Sequence, residues 1–318
     1  MPGTSTISWI KNLPQLAAPV LTAVSASTTQ IDLSWVDVSN ESSYKIEWSA
    51  SGVGGWTQIG GTIAAGSTSY SHTGASAATL YFYRITAVGD NINFIDSGFG
   101  YANERTRGTA LSIVQSVTGS TTTTGSIGIA LTGVVAGNFL IYLVGQTDNS
   151  VVTPPPPSIT SSPSITWKKL CGSPGGTLTG NTDIWGAFFA AGGSITCTAA
   201  WGSTAIAGVV SEISGVEAVL LGAQAYGIAQ TNPSVDIETT RYGSIVFGVT
   251  SDYNTNDGAT RTLRDTATEL FYFRSISFFT GYFYYKQCTV LARKTLGLSA
   301  PTMTGAGAGT SMYEVRTA

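Results

Sequence analysis

The stretch DIWGAFFAAGGSITCTAAWGSTAIAGVVSE, residues 183 to 212, carries no charged side chain between Asp183 and Glu212. An uncharged run of that length is either a membrane span or a set of strands whose neighbours cover them. A spanning helix needs about 20 consecutive strongly apolar residues. This run is interrupted by Gly192 and Gly193, by Gly202 and by Gly208, and it is filled with Ser and Thr. Cut at the glycines it yields DIWGAFFAA, SITCTAAW and AIAGVVSEIS, three pieces of strand length bounded by turn signals. In the second piece Ile195, Cys197 and Ala199 alternate with Thr196, Thr198 and Ala200, the period of two expected of a half-buried strand. The run predicts strands, and no membrane partner is expected.

The remainder of the chain agrees with that choice. No segment sustains a helical period, whereas strand-like runs recur: TQIDLSWVD, SYKIEWSA, LYFYRITAV, GNFLIYLVGQ, GSIVFGVTS and TGYFYYKQCTVLARK. Their spacing suits antiparallel sandwiches rather than alternating strand and helix units. The expected fold class is therefore all-β. Charged residues make up 10% of the chain, against roughly 25% in an average soluble protein, while glycine is abundant. A boundary is expected near Thr106 to Ala110, where NERTRGTA gathers charge before a new strand pattern begins. The expected organisation is an N-terminal arm over 1–18, a sandwich over 19–106, and a larger antiparallel sandwich over 107–318. The tract VVTPPPPSITSSP, from 151 to 163, reads as a stiff exposed loop, because consecutive prolines cannot donate ladder hydrogen bonds.

The charge pattern narrows the partners. Net charge is -3, and Lys and Arg are scattered singly, so the basic footprint of a nucleic-acid binder is missing. Cys171, Cys197 and Cys288 have no CxxC spacing and a single histidine, His72, to accompany them; buried thiols are expected, with one disulfide left open. The first residues, MPGTSTISWIKNLPQLAAP, have neither the basic start nor the apolar run of a secretory signal. Synthesis and retention in a cytoplasm are expected, with Met1 to Pro19 held by a neighbouring chain.

From Pro19 to Thr106 the residues APVLTAVSASTTQIDLSW, YKIEWS, WTQIG and YFYRITAV follow one another as successive strands, with Trp35 beside Ile31 and Leu33 on one face. This segment resembles a fibronectin type III domain. The resemblance implies a sandwich whose core holds Trp35, Tyr81 and Tyr83, with Tyr81 as the corner tyrosine that bonds back to nearby backbone. One departure is Ala75, where the family usually has leucine six residues before that tyrosine. Most of residues 110 to 318 resembles a jelly-roll-like β-sandwich module of phage virion proteins and of some large bacterial surface proteins. The matching pieces are Gly137, Asn138, Leu140, Ile141, Val144 and Gly145, then ITWKKL, then the uncharged run, and finally SMYEVRT. That resemblance implies fold more than activity.

No catalytic constellation is expected. His72 lies in YSHTGA, read as a turn, with no nucleophile motif around it, and neither GxSxG nor a phosphate-binding GxxxxGK[ST] occurs. Two carboxylates would suffice for glycoside hydrolysis, and Asp183, Glu212, Asp236, Glu238, Asp252 and Asp257 are the candidates. Asp236 and Glu238 share one strand face and are expected on a solvated surface. DYNTNDGAT, from 252, resembles the start of a calcium loop but has Asp257 and Leu263 where glycine and glutamate belong, so a polar turn is expected. No metal and no cofactor are expected. The aromatic run LFYFRSISFFTGYFYYKQ places rings on both faces of its strands, which reads as a strand buried on both sides, or, with Trp185 and Trp201, marks Phe271, Phe273, Tyr282 and Tyr284 as an assembly interface or a sugar platform.

The function expected from these features is a non-enzymatic phage virion structural protein, a capsid decoration, head-fibre or tail subunit. Its partners would be other virion proteins and copies of itself, in a virion assembled in the host cytoplasm. A carbohydrate-binding adhesin contacting a host-surface glycan is the alternative, and a polysaccharide-degrading enzyme the second alternative.

Overall fold

A computed structural model describes residues 12–108, 111–147, 157–172, 180–201, 205–216, 223–229, 233–240, 243–252, 261–275, 280–289, 292–300 and 308–316. The chain separates into two compact units, the first ending at Gly108 and the second beginning at Thr109. Both are built from antiparallel strands.

The first unit contains β1 (Leu21–Ser25), β2 (Gln30–Trp35), β3 (Ser43–Ser49), β4 (Thr57–Ala64), β5 (Ser69–Thr73), β6 (Leu80–Val88) and β7 (Gly100–Arg105). They form a three-stranded sheet, β1-β2-β5, and a four-stranded sheet, β4-β3-β6-β7. The period-two pattern decides which side chains enter: Ile31, Leu33 and Trp35 from β2 meet Tyr44 and Ile46 from β3 and Tyr81, Tyr83, Ile85 and Ala87 from β6 in one core. The Tyr81 hydroxyl accepts the backbone N–H of Ser76 at 2.8 Å, closing the corner that leads into β6. Ala75 is buried beside it.

Two expectations for this unit are corrected. His72 is not in a turn; it lies on β5, half-buried, with Nδ1 2.8 Å from the Tyr83 hydroxyl and its ring edge-on to Tyr81 and Tyr83. Part of the arm expected over 1–18 belongs to the module, because Leu16 is buried in its core and the backbone of residues 14–16 bonds to Ile95. Residues 1–11 lie outside the described residues.

The second unit resolves into two sandwiches. The first comprises β8 (Ser112–Thr121), β9 (Ser126–Val134), β10 (Phe139–Thr147), β11 (Ser158–Ser162), β12 (Lys168–Gly172), β13 (Gly180–Phe188), β14 (Gly193–Ala200) and β15 (Ile206–Ser214). The second comprises β16 (Gln224–Ala229), β17 (Ser234–Glu238), β18 (Ile245–Asp252), β19 (Thr262–Leu263), β20 (Thr268–Arg274), β21 (Thr280–Gln287), β22 (Arg293–Ala300) and β23 (Ala308–Val315). The first sandwich has sheets β12-β13-β10-β15-β8 and β11-β14-β9; the second has β20-β21-β18-β23-β16 and β19-β22-β17. Every strand of the second corresponds to a strand of the first with its label raised by eight. The order is that of a jelly roll whose fifth strand pairs beside the sixth, and it occurs twice.

The two copies stack through their five-stranded sheets. Phe139, Ile141, Leu143, Ile184 and Val209 of the first meet Phe247, Val249, Phe283, Tyr313 and Val315 of the second in one core. The opposite face of each five-stranded sheet carries its own three-stranded partner, with Leu140, Tyr142, Val144 and Val210 over Ile129, Ile195 and Cys197 in the first copy, and Val246, Tyr282, Tyr284 and Met312 beside Ile237, Leu296 and Leu298 in the second. The result is four layers. The two inner sheets are buried on both faces, so β15, β18 and β23 are covered along nearly their whole length. Strands in that position have no solvent-facing side, which accounts for the lack of charge in β13 after Asp183 and in β15 before Glu212, whereas β14 lies in the outer sheet and carries Ser194, Thr196 and Thr198 on its outer face.

Both copies bury a glutamate at the same place. Glu212 on β15 accepts hydrogen bonds from the Val135 N–H at 2.8 Å, from Asn138 Nδ2 at 2.7 Å and from Gln115 Nε2 at 2.7 Å. Glu314 on β23 accepts the Thr240 N–H and hydroxyl, each at 2.8 Å, and the Ala223 N–H at 3.2 Å. In both copies the carboxylate pins the turn that follows the second strand, and a buried carboxylate is tolerated because its lone pairs are filled.

Candidate functional site

Two arrangements stand out, one on each unit. The first is the outer face of the β4-β3-β6-β7 sheet. Register places Arg84 of β6 opposite both Glu47 of β3 and Tyr101 of β7, so all three project to the same side. Arg84 Nε is 2.8 Å from Glu47 Oε2, and Lys45 Nζ is 3.0 Å from Glu47 Oε1. The hydrogen bond from Arg84 holds the Glu47 carboxyl below its usual range, against the opposing effect of burial. The guanidinium lies 4.6 Å from the ring centre of Trp56 and 4.2 Å from that of Phe99. Tyr101 completes the group, with ring centres 6.3 Å from Trp56 and 5.9 Å from Phe99. Phe99 is 44% and Tyr101 62% exposed. Packing and charge fix this face, yet its rings remain open to solvent.

The second arrangement is inside the first jelly roll, on the face of β10 and β13 that looks toward β11-β14-β9. Gln146 stands opposite Asn181, and Val144 opposite Asp183. Gln146, Asn181 and Asp183 are each at most 2% exposed. Neither amide atom of Gln146 has a hydrogen-bond partner, nor does Asn181 Nδ2. Lys169 on the edge strand β12 places Nζ 2.6 Å from Asp183 Oδ1 while its own side chain is 40% exposed. Burial pushes the Asp183 carboxyl up to about 6, with Lys169 and the Trp185 indole pulling it back. A buried carboxylate with that displacement is the kind of group that functional sites contain.

The structure distributes the expected site residues differently. Trp35, Tyr81 and Tyr83 are buried in the first unit. Tyr282 and Tyr284 are corrected from platform to core: both lie inside the second jelly roll, where Tyr284 is 3.2 Å from Thr250 Oγ1 and crosses over Gly248, whose absent Cβ would lie 2.1 Å from the ring. Trp201 is likewise interior, and Trp185 is half-buried opposite Tyr142. Phe271 and Phe273 are half-buried on the edge strand β20, stacked on each other and packed against the core between the two inner sheets. These six residues do not form one surface.

Of the carboxylates, Glu212 is consumed by its turn, Asp183 pairs with Lys169, and Asp236 is exposed, bonded to Arg293 and Thr295. Asp257 and most of the calcium-like loop lie outside the described residues, as do three of the four prolines, while Pro157 is buried. Among the described residues no three His, Cys, Asp or Glu side chains gather as a metal set, and no helix is long and apolar enough to cross a membrane. Cys171, Cys197 and Cys288 are free and buried; burial raises all three thiols, Cys197 to about 12, so they are weak nucleophiles. The exposed aromatic face was missed in the sequence, although Tyr101 shares its strand phase with Asn103 and Arg105 and so belongs to a polar face.

No family model matches the chain, and no curated protein matches it. Solved structures similar to it include a Fn3-like protein from Clostridium thermocellum, 29% identical over 28% of this chain and 90% of that one, with a TM-score of 0.23. The FN3 domain of human collagen XX is 20% identical over 28% of this chain and 95% of its own, with a TM-score of 0.22. The FN1-FN3 segment of chicken CNTN1 is 10% identical over 92% of this chain and 98% of its own, with a TM-score of 0.26.

Proposed function

We propose that this chain is a non-enzymatic phage virion structural protein, a capsid decoration, head-fibre or tail subunit, that attaches through its first module. The observation that carries the reading is the face on which exposed Phe99 and Tyr101 and half-buried Trp56 surround Arg84. Aromatic residues and arginine are the side chains that dominate protein–protein binding energy, and here they are held rigid before any partner arrives, which lowers the entropy lost on binding. The stacked sandwiches of the second unit act as a stiff body, and the resemblance of their sequence to virion modules supports this class of assembly. Partners are other virion proteins and copies of the chain itself.

The decisive experiment adds the purified chain to particles that lack it and measures binding. Wild type is expected to bind, and Tyr101→Ser with Phe99→Ser is expected to weaken binding at least tenfold without loss of fold. A wild-type chain that stays monomeric and ignores such particles overturns the reading. The exposed rings of Phe99 and Tyr101 could also stack on a sugar, which favours a host-glycan adhesin as the second reading. Binding of the same face to immobilised host glycans, with the same loss in the double variant, would select it.

A further inference from the structure

We propose that the cleft between β22 and the link from β19 to β20, in the second jelly roll, binds an acidic sugar: a singly charged carboxylate or sulfate group carried on a hydroxyl-bearing molecule. This is independent of what the face on the first module recognises. The cleft encloses about 530 Å³ and is lined by Arg264 and Asp265 from the link and by Arg293, Lys294, Thr295 and Ser299 from β22. That volume lies within the range of roughly 300–1,000 Å³ that small-ligand sites occupy.

Cations gather here, in a chain whose net charge is -3. Asp265 is answered by Lys294, whose Nζ is 3.7 Å from its Oδ2, and Asp236 is answered by Arg293. Glu238 stands opposite Arg293 in the register of β17 and β22. Lys286 Nζ donates to the Asp265 carbonyl at 2.6 Å and to the Thr266 hydroxyl. That bracing holds Asp265 and Thr266 in left-handed backbone, with φ of 51° and 52°. A β-branched residue such as Thr266 adopts this conformation only where its surroundings impose it. Arg264 is left over: its Nε donates to the Leu298 carbonyl at 3.0 Å, and its two terminal nitrogens have no partner among the described residues. Four cations therefore meet three carboxylates, an excess of one positive charge with a guanidinium fork open to a single oxyanion.

The hydroxyls select what carries that anion. Thr295 donates its hydroxyl hydrogen to Asp236, and Ser299 donates to the Thr262 carbonyl, so both present only lone pairs to the cleft. A bare sulfate ion brings acceptors alone and has nothing to offer them. A sugar acid brings the anion and, beside it, hydroxyl donors.

The duplication provides an internal control. The corresponding parts of the first jelly roll are β11, the link over 163–167 and β14, and they carry no charged side chain. The strand order therefore does not itself demand charges at this place, and the cluster is particular to the second copy.

The test titrates the full chain by calorimetry with glucuronate, galacturonate and glucose 6-sulfate, and with glucose and sulfate ion as controls. At least one acidic sugar is expected to bind about tenfold more tightly than either control, the effect of one charge-assisted contact. A uronate as the tightest ligand assigns the anion as carboxylate, and glucose 6-sulfate assigns it as sulfate. Arg264→Gln is expected to weaken that binding about tenfold, and Tyr101→Ser to leave it unchanged. The wild-type comparison with the two controls does not depend on any variant folding. No acidic sugar bound more tightly than both controls, binding that survives Arg264→Gln, or binding lost with Tyr101→Ser overturns the proposal.

Discussion

Asp183 behaves unlike an ordinary paired carboxylate. Its folded value is raised from 3.8 to about 6 by burial, with Lys169 compensating only in part. Between those values the folded chain holds a proton that the unfolded chain has released, so stability falls as pH climbs from about 4 to about 6 and then levels off. The span corresponds to about 3 kcal/mol. Asp183→Asn removes the titrating group, and the difference in urea midpoint between wild type and variant is expected to grow across that window and be flat above it. The buried glutamates make a second residue-scale prediction. Truncating Glu212 or Glu314 to Ala strands the N–H groups of the turn each one holds, and each is expected to cost roughly 2–3 kcal/mol in denaturant melts. Equal costs are expected, since the two residues occupy equivalent places. At this scale the sequence was informative where a side chain has a local partner: Tyr81 and its bond to Ser76 follow from a five-residue corner. Asp183 was visible only as one candidate among six, because its burial comes from strands far away in sequence.

Strands are where sequence and structure agree most closely. The alternation in QIDLSW reappears as Ile31, Leu33 and Trp35 buried with exposed residues between them, and that in SITCTAA as Ile195, Cys197 and Ala199. Period-two patterning is set by one covered face and needs no knowledge of the neighbour. Where both faces are covered the alternation vanishes: β18 was legible as the strand-like run GSIVFGVTS, and β23 only through the resemblance that SMYEVRT carries. The aromatic run from 270 to 287 illustrates the limit. Phe283 points into the core between the inner sheets while Tyr282 and Tyr284 point into the second sandwich, and no local feature says which face meets what. Phe283→Ala is expected to destabilise the second unit by roughly 3–5 kcal/mol in thermal or chemical melts. Gly248→Ala forces a methyl into the Tyr284 ring and is expected to cost about 1–3 kcal/mol by the same measurement.

At the scale of the molecule, the core between the inner sheets makes the two jelly rolls one cooperative body, whereas the first unit has a core of its own. Calorimetry of the whole chain is expected to resolve one transition for residues 1–108 and one for 109–318. Expressing either jelly roll alone, cut between Val216 and Ala223, exposes the inner face of a five-stranded sheet, and aggregation detected by light scattering is expected. By itself the sequence determined the all-β class, the strand alternation of the half-buried strands and the absence of charge in the central run, since each follows from side-chain period and turn chemistry within a few residues. Only the tertiary structure decided that the second unit is a jelly roll repeated twice and stacked back to back. It also decided that Tyr282 and Tyr284 are interior, that Phe99 and Tyr101 face solvent, and that Gln146 is buried opposite Asn181. Those outcomes depend on which sheet faces cover each other, and strand pairing across a hundred residues leaves no periodic trace in the chain.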